Sequence, residues 1–87
     1  MNHTVVWLQS AEQELAELWL DAADRDAITN AASLIDQLLG ANPENEGESR
    51  PAGRRILFVA PLGAVFRTLP NDRLVIVTRV WRIAKSK

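Results

Sequence analysis

The sequence predicts an α+β fold in the order β-α-α-β-β-β, with a helical hairpin packed on one face of a small antiparallel-rich sheet. Three observations predict it. Apolar residues recur at helical spacing in the first half of the 87-residue chain, and in short β-branched runs in the second. A polar stretch rich in Gly and Pro, residues 40–53, separates the two regimes. Charge divides at nearly the same place. Residues 1–48 hold ten acids and one base, Arg25; residues 49–87 hold nine bases and one acid, Asp72. The halves carry −9 and +8, which the net charge of −1 conceals.

Each element follows in turn. Thr4–Leu8 (TVVWL) is β-branched and aromatic and reads as a short strand. It is expected to join the main sheet, because alone it would leave its backbone polar groups unpaired. Ser10 with Gln13 three residues on forms a capping-box pattern. Ala11, Leu15, Leu18, Trp19 and Ala22 then make the stripe of a helix over residues 10–22, and Trp19 is expected in the core. Asp24 or Asp26 can cap a second helix over residues 25–39, with Ile28, Ala31, Ala32, Ile35, Leu38 and Leu39 as its stripe and Gly40 as its stop. So short a connection makes the two helices an antiparallel hairpin. Residues 40–53 read as a long loop. Arg55–Val59, Ala64–Leu69 and Leu74–Trp81 read as strands, separated by turns at Pro61–Gly63 and Pro70–Arg73. Residues 83–87 form a basic tail, and the whole chain, 1–87, is expected to be one domain.

Composition excludes several functions. A hydrophobic fraction of 47% suits a packed core. With no cysteine and one histidine, His3, neither a thiolate nor a multi-histidine metal site can form, and no cofactor is expected. No apolar run reaches the roughly 18–20 residues of a membrane span. The stretch MNHTVVWLQSAEQEL lacks the marks of a secretory signal, so a cytoplasmic location is expected.

The motifs, taken together, resemble the RelE/ParE family of bacterial toxins. The resemblance runs over residues 4–82. It rests on a short strand followed by A-E-Q-E-L-A-E-L-W (Ala11–Trp19) and I-T-N-A-A-S-L-I-D-Q-L-L (Ile28–Leu39). G-E-S-R (Gly47–Arg50) then leads into R-R-I-L-F (Arg54–Phe58), P-L-G-A-V-F (Pro61–Phe66) and R-L-V-I-V-T-R-V-W-R (Arg73–Arg82). The resemblance implies the toxin of a type II toxin–antitoxin pair, neutralised by a cognate antitoxin and acting on translation or on DNA gyrase. In the RelE branch it implies metal-independent mRNA cleavage on the ribosome, in which basic side chains hold phosphate and stabilise transition-state charge. The candidates for that role are Arg54, Arg55, Arg67 and Arg82. An inert member that only binds an antitoxin is the remaining alternative.

The sequence departs from the ribonuclease pattern at two places. The family's arginine on the second strand of the final meander falls at Gly63 or Ala64, and the chain contains no tyrosine to match the C-terminal one of many active members. A sequence pI near 5.7 also favours a protein target over ribosome entry. Arg79 and Arg82 fall on opposite faces of a regular strand. Trp81 is expected to pack rather than to stack on a base. Leu62, Val65 and Val77 are candidates for apolar contact with an antitoxin, and the acidic helices can partly neutralise the basic strands within the fold.

Overall fold

Both helices form where the apolar stripes place them. The computed structural model describes residues 3–83, and the proposed tail lies outside them except for Ile83. The elements are β1 (Thr4–Trp7), α1 (Gln9–Asp21), α2 (Arg25–Ala41), β2 (Glu48–Arg50), β3 (Arg54–Val59), β4 (Leu62–Leu69) and β5 (Leu74–Arg82). The strands build one sheet in the order β1-β5-β4-β3-β2. β1 lies parallel to β5, with Thr4 opposite Leu74 and Trp7 opposite Val77, and the other pairs are antiparallel.

The core lies between the helices and one face of this sheet. Ala11 of α1 and Ile28, Ala31, Ile35 and Leu39 of α2 are buried with Leu57, Leu62, Ala64, Phe66, Val75, Val77 and Val80. Burying each large aliphatic side chain favours the fold by roughly 1.5–3 kcal/mol. Leu62 and Val77, expected to stay uncovered for a partner, are fully buried in this layer. Along β5 the buried positions run 75, 77, 80, which a strict alternation forbids. The register therefore slips: Val65 faces Arg79 and Phe66 faces Val77, leaving Thr78 as an extra residue.

Four local expectations are corrected. Ser10 is not the cap of α1. The helix begins one residue earlier, after Leu8, without a side-chain cap. Leu8 is already anchored, since its N–H donates to Val77 O at 3.0 Å and its carbonyl accepts Glu12 N–H at 2.9 Å. Gly40 does not stop α2. It stays helical because its carbonyl accepts the His3 amide at 2.7 Å, and the helix runs on to Ala41. The 40–53 stretch is not one loop but holds β2 between two short 3-10 turns, Pro43–Asn45 and Pro51–Gly53. Trp19 is 40% exposed on the outside of the hairpin instead of entering the core.

The edge of β5 needs cover, because β1 pairs with residues 74–77 alone. α1 supplies it. Glu14 Oε1 accepts the Val80 backbone N–H at 3.0 Å, while Oε2 accepts Arg79 Nε at 3.0 Å. One carboxylate thus satisfies an edge amide and ties the acidic helix to the basic strand.

Candidate functional site

Strand register builds a row of like charges on the face away from the helices. Arg50 stands opposite Arg54, and Arg54 opposite Arg67, across β2, β3 and β4. Adjacent strands lie about 4.8 Å apart. Like charges placed directly opposite destabilise a sheet, so the row is a cost to the fold and points to an anionic counterpart. The guanidiniums make few contacts. Arg54 Nε donates to Pro51 O and Arg67 Nη2 to Ala52 O, both at 3.2 Å. Arg50 Nη1 donates to Ser49 O at 2.9 Å, and Nη2 lies 3.3 Å from Glu48 Oε1. Beside them is a recess of about 180 Å³ floored by Ile56 and Val65.

Beyond this row the face turns apolar. Phe58, Gly63 and Trp81 align across β3, β4 and β5. Phe58 and Trp81 meet edge to face, with centroids 6.2 Å apart and planes at 85°. The Trp81 indole lies across Gly63, where an added Cβ would fall 2.7 Å from the ring. Gly63, one of the two positions at which the resemblance sets an arginine, is therefore covered by an indole from the neighbouring strand. Ala64 points into the core and is fully buried. Gly63→Ala is expected to push the Trp81 ring outward, red-shift tryptophan emission and lower stability by about 1–3 kcal/mol. Unchanged emission in the folded variant would mean the ring does not rest on Gly63.

The four arginines singled out from the sequence divide into two pairs. Arg54 and Arg67 lie in the cationic row. Arg55 is turned to the other side, where it holds the preceding segment: Nε donates to Glu46 O at 2.9 Å, Nη2 to Gly47 O at 3.1 Å and Nη1 to Ser49 Oγ at 2.9 Å. Arg82 forms a two-pronged pair with Asp24, Nη1–Oδ1 at 2.9 Å and Nη2–Oδ2 at 2.8 Å. That hydrogen-bonded carboxylate raises the Arg82 pKa above its ordinary value against the opposing effect of burial. Asp24 precedes α2 but makes no side-chain cap, because its carboxylate is given to Arg82. The residue sequence reasoning missed is Arg50. Its signal was the Arg50-Pro-Ala-Gly-Arg54 segment, a turn sequence between two arginines that brings them opposite each other.

This arrangement offers planar donors for carboxylate or phosphate at one end of the face and an aromatic, apolar surface at the other. Among the described residues no helix is long and apolar enough to cross a membrane.

No protein-family model matches the chain, and no curated protein matches it in sequence. Solved structures do match it in fold. The toxin–antitoxin complex RelBE2 from Mycobacterium tuberculosis superposes with a TM-score of 0.79 at 17% identity, covering 98% of this chain and 95% of that one. The chromosomal ParDE system of P. aeruginosa gives 0.74 at 17% identity, over 94% and 97%. The isolated RelE toxin of E. coli gives 0.60 at 13% identity, over 98% and 88%. Two helices on a five-stranded mixed sheet, in this order, are the fold shared with these RelE and ParE structures.

Proposed function

We propose that the chain is the toxin of a type II toxin–antitoxin module, held inactive by a cognate antitoxin and acting in the cytoplasm. One observation carries this reading: the fold coincides over nearly the whole length of both partners with the RelBE2 and ParDE complexes. RelBE2 and ParDE belong to different branches, and the target, gyrase or translation, is separated by experiment.

The open sheet face is the proposed working surface. Arg54 and Arg67 present their guanidiniums there, with Arg50 beside them, whereas Arg55 and Arg82 secure the scaffold. Trp81 over Gly63 speaks against the usual ribonuclease constellation and for a target met through shape and charge. Induced expression of the chain alone is expected to arrest growth, and co-expression of its adjacent reading frame to restore it. Gyrase-linked DNA breaks with intact mRNA select the ParE-like target; codon-linked mRNA breaks select ribosome-dependent cleavage. The Arg54→Ala/Arg67→Ala pair is expected to weaken the arrest at least tenfold, scored as surviving colonies, while leaving the protein folded. Normal growth at high expression of folded chain would eliminate toxin action and leave the inert antitoxin binder.

A further inference from the structure

The large apolar residues that the fold leaves uncovered lie on two opposed sides. Trp19, Leu20 and Leu34 are exposed on the helices, and Leu20 is 62% exposed. Val6, Phe58 and Leu69 are exposed on the sheet. Val6 belongs to the open face, because Val5 and Trp7 on either side of it pack against the core and strand side chains alternate. Leu69 follows Arg67 onto that face by the same alternation. Exposed apolar patches mark contact surfaces.

Charge separates the same two sides. On the helices Glu12, Glu17, Asp21 and Asp26 are exposed. Arg25 is the only base of α1 and α2, and it is already engaged. Its guanidinium lies 4.5 Å over the Trp19 ring and donates to Trp19 O at 2.9 Å and Leu20 O at 3.0 Å. On the open face Arg50, Arg54 and Arg67 are exposed. The whole chain carries only −1, so net charge does not hold copies apart.

These facts select the occupant. A two-fold interface sets each patch against itself. Sheet on sheet would bring two arginine rows together, and helices on helices two acidic surfaces. A nucleic acid suits the sheet face alone, and a cationic peptide the helices alone. A second copy suits both sides, provided the sheet of one meets the helices of the next. That contact joins unlike charges and covers both apolar patches. It also repeats between copies the helix-on-sheet packing that builds the core within one.

We infer that the chain associates with itself head to tail, the cationic sheet face of one copy seated on the acidic helices of the next. A contact of this kind does not close at a dimer, because each pair still offers one free sheet face and one free helical face. The inference is independent of the toxin reading, since it concerns the free chain and not its target. If the open face is also the working surface, association covers it.

Sedimentation velocity of the full chain tests this. At about 0.01 M salt, where charges reach each other over ~30 Å, the average mass is expected to rise with concentration above the 9.7 kDa of one chain. At about 1 M salt, where that reach falls to ~3 Å, association is expected to weaken at least tenfold. Two variants then assign the faces. Arg54→Ala/Arg67→Ala alters only the sheet face, and Glu17→Arg/Leu20→Arg only the helices. Each alone is expected to associate at least tenfold more weakly, with the circular dichroism unchanged. Mixed, they are expected to pair one to one and grow no further, because the first keeps its acidic helices and the second its arginine row. A chain that stays single at every concentration, or association that salt leaves unchanged, would overturn the proposal, and neither result needs a variant. Mixed variants that fail to pair would overturn it as well, since that outcome belongs to a symmetric contact.

Discussion

Phe66→Ala is expected to destabilise the protein by about 3–5 kcal/mol. Phe66 is the largest fully buried side chain and sits on β4, the strand that joins β3 to β5. Its removal takes away the transfer free energy of a whole ring. It also leaves a cavity that helices and sheet, fixed by their own hydrogen bonds, cannot close. Domains of this kind are stable by about 5–15 kcal/mol, so one substitution removes a large part of the margin. Urea unfolding followed by circular dichroism reads the loss as a lower midpoint. Phe58→Ala is the control, for that ring is 54% exposed on the open face and its loss is expected to cost about 1 kcal/mol or less. Equal midpoints for the two variants would mean that Phe66 is not the keystone of the core.

Gly47→Ala is expected to cost about 2–4 kcal/mol, far more than a methyl group ordinarily does. Gly47 has a φ of +73°, in the left-handed region that disfavours a Cβ. Its added Cβ would also press into the backbone carbonyl of Ile56 on β3. The only relief is for residues 46–49 to lift away, which breaks the three hydrogen bonds from Arg55 and unpairs β2. Gly53 separates the two causes. It shares the φ of +73°, but a Cβ there meets nothing within 4 Å, so Gly53→Ala is expected to cost only about 1–2 kcal/mol. Hydrogen exchange should show lost protection on the β3 amides that face β2 in Gly47→Ala and not in Gly53→Ala. If both variants behave alike, the backbone angle and not the Ile56 contact governs position 47.

The helices and the three-stranded meander were legible because each buries a regular stripe. The 3.6-residue period of Ile28, Ala31, Ile35 and Leu39 and the valines of β5 carry their own explanation. β2 was not legible: Glu48, Ser49 and Arg50 are all exposed, so no apolar alternation announces a strand, and only pairing with β3 makes one. Ser10 misled because a capping box describes a free helix start, whereas α1 starts against the sheet edge. The bulge at Thr78 was readable in principle, since buried valines at 75, 77 and 80 demand a change of parity.

The candidate site was half legible, for a related reason. Arg54, Arg55, Arg67 and Arg82 share a residue type but not a fate, and their partners decide it. Asp24 lies 58 residues from Arg82 and Glu14 lies 65 from Arg79, so no local pattern relates them. The charge split between the halves is in part consumed by these pairs. What remains is a cationic row on the open sheet face, opposed to the acidic helices on the other side of the sheet.

The parallel pairing of β1 with β5 also governs when the protein comes into being. Residues 4–7 find their partners only in residues 74–77, and α1 covers an edge made by residues 78–82. A nascent chain therefore holds its N-terminal strand unpaired until residues 74–77 have been made. Contacts so distant in sequence make folding slow and concerted. A chain cut short before β5 has no strand for β1 to pair with and no edge for Glu14 of α1 to cover. The sheet closes only once β5, the last strand of the described residues, has been made and has taken its place between β1 and β4.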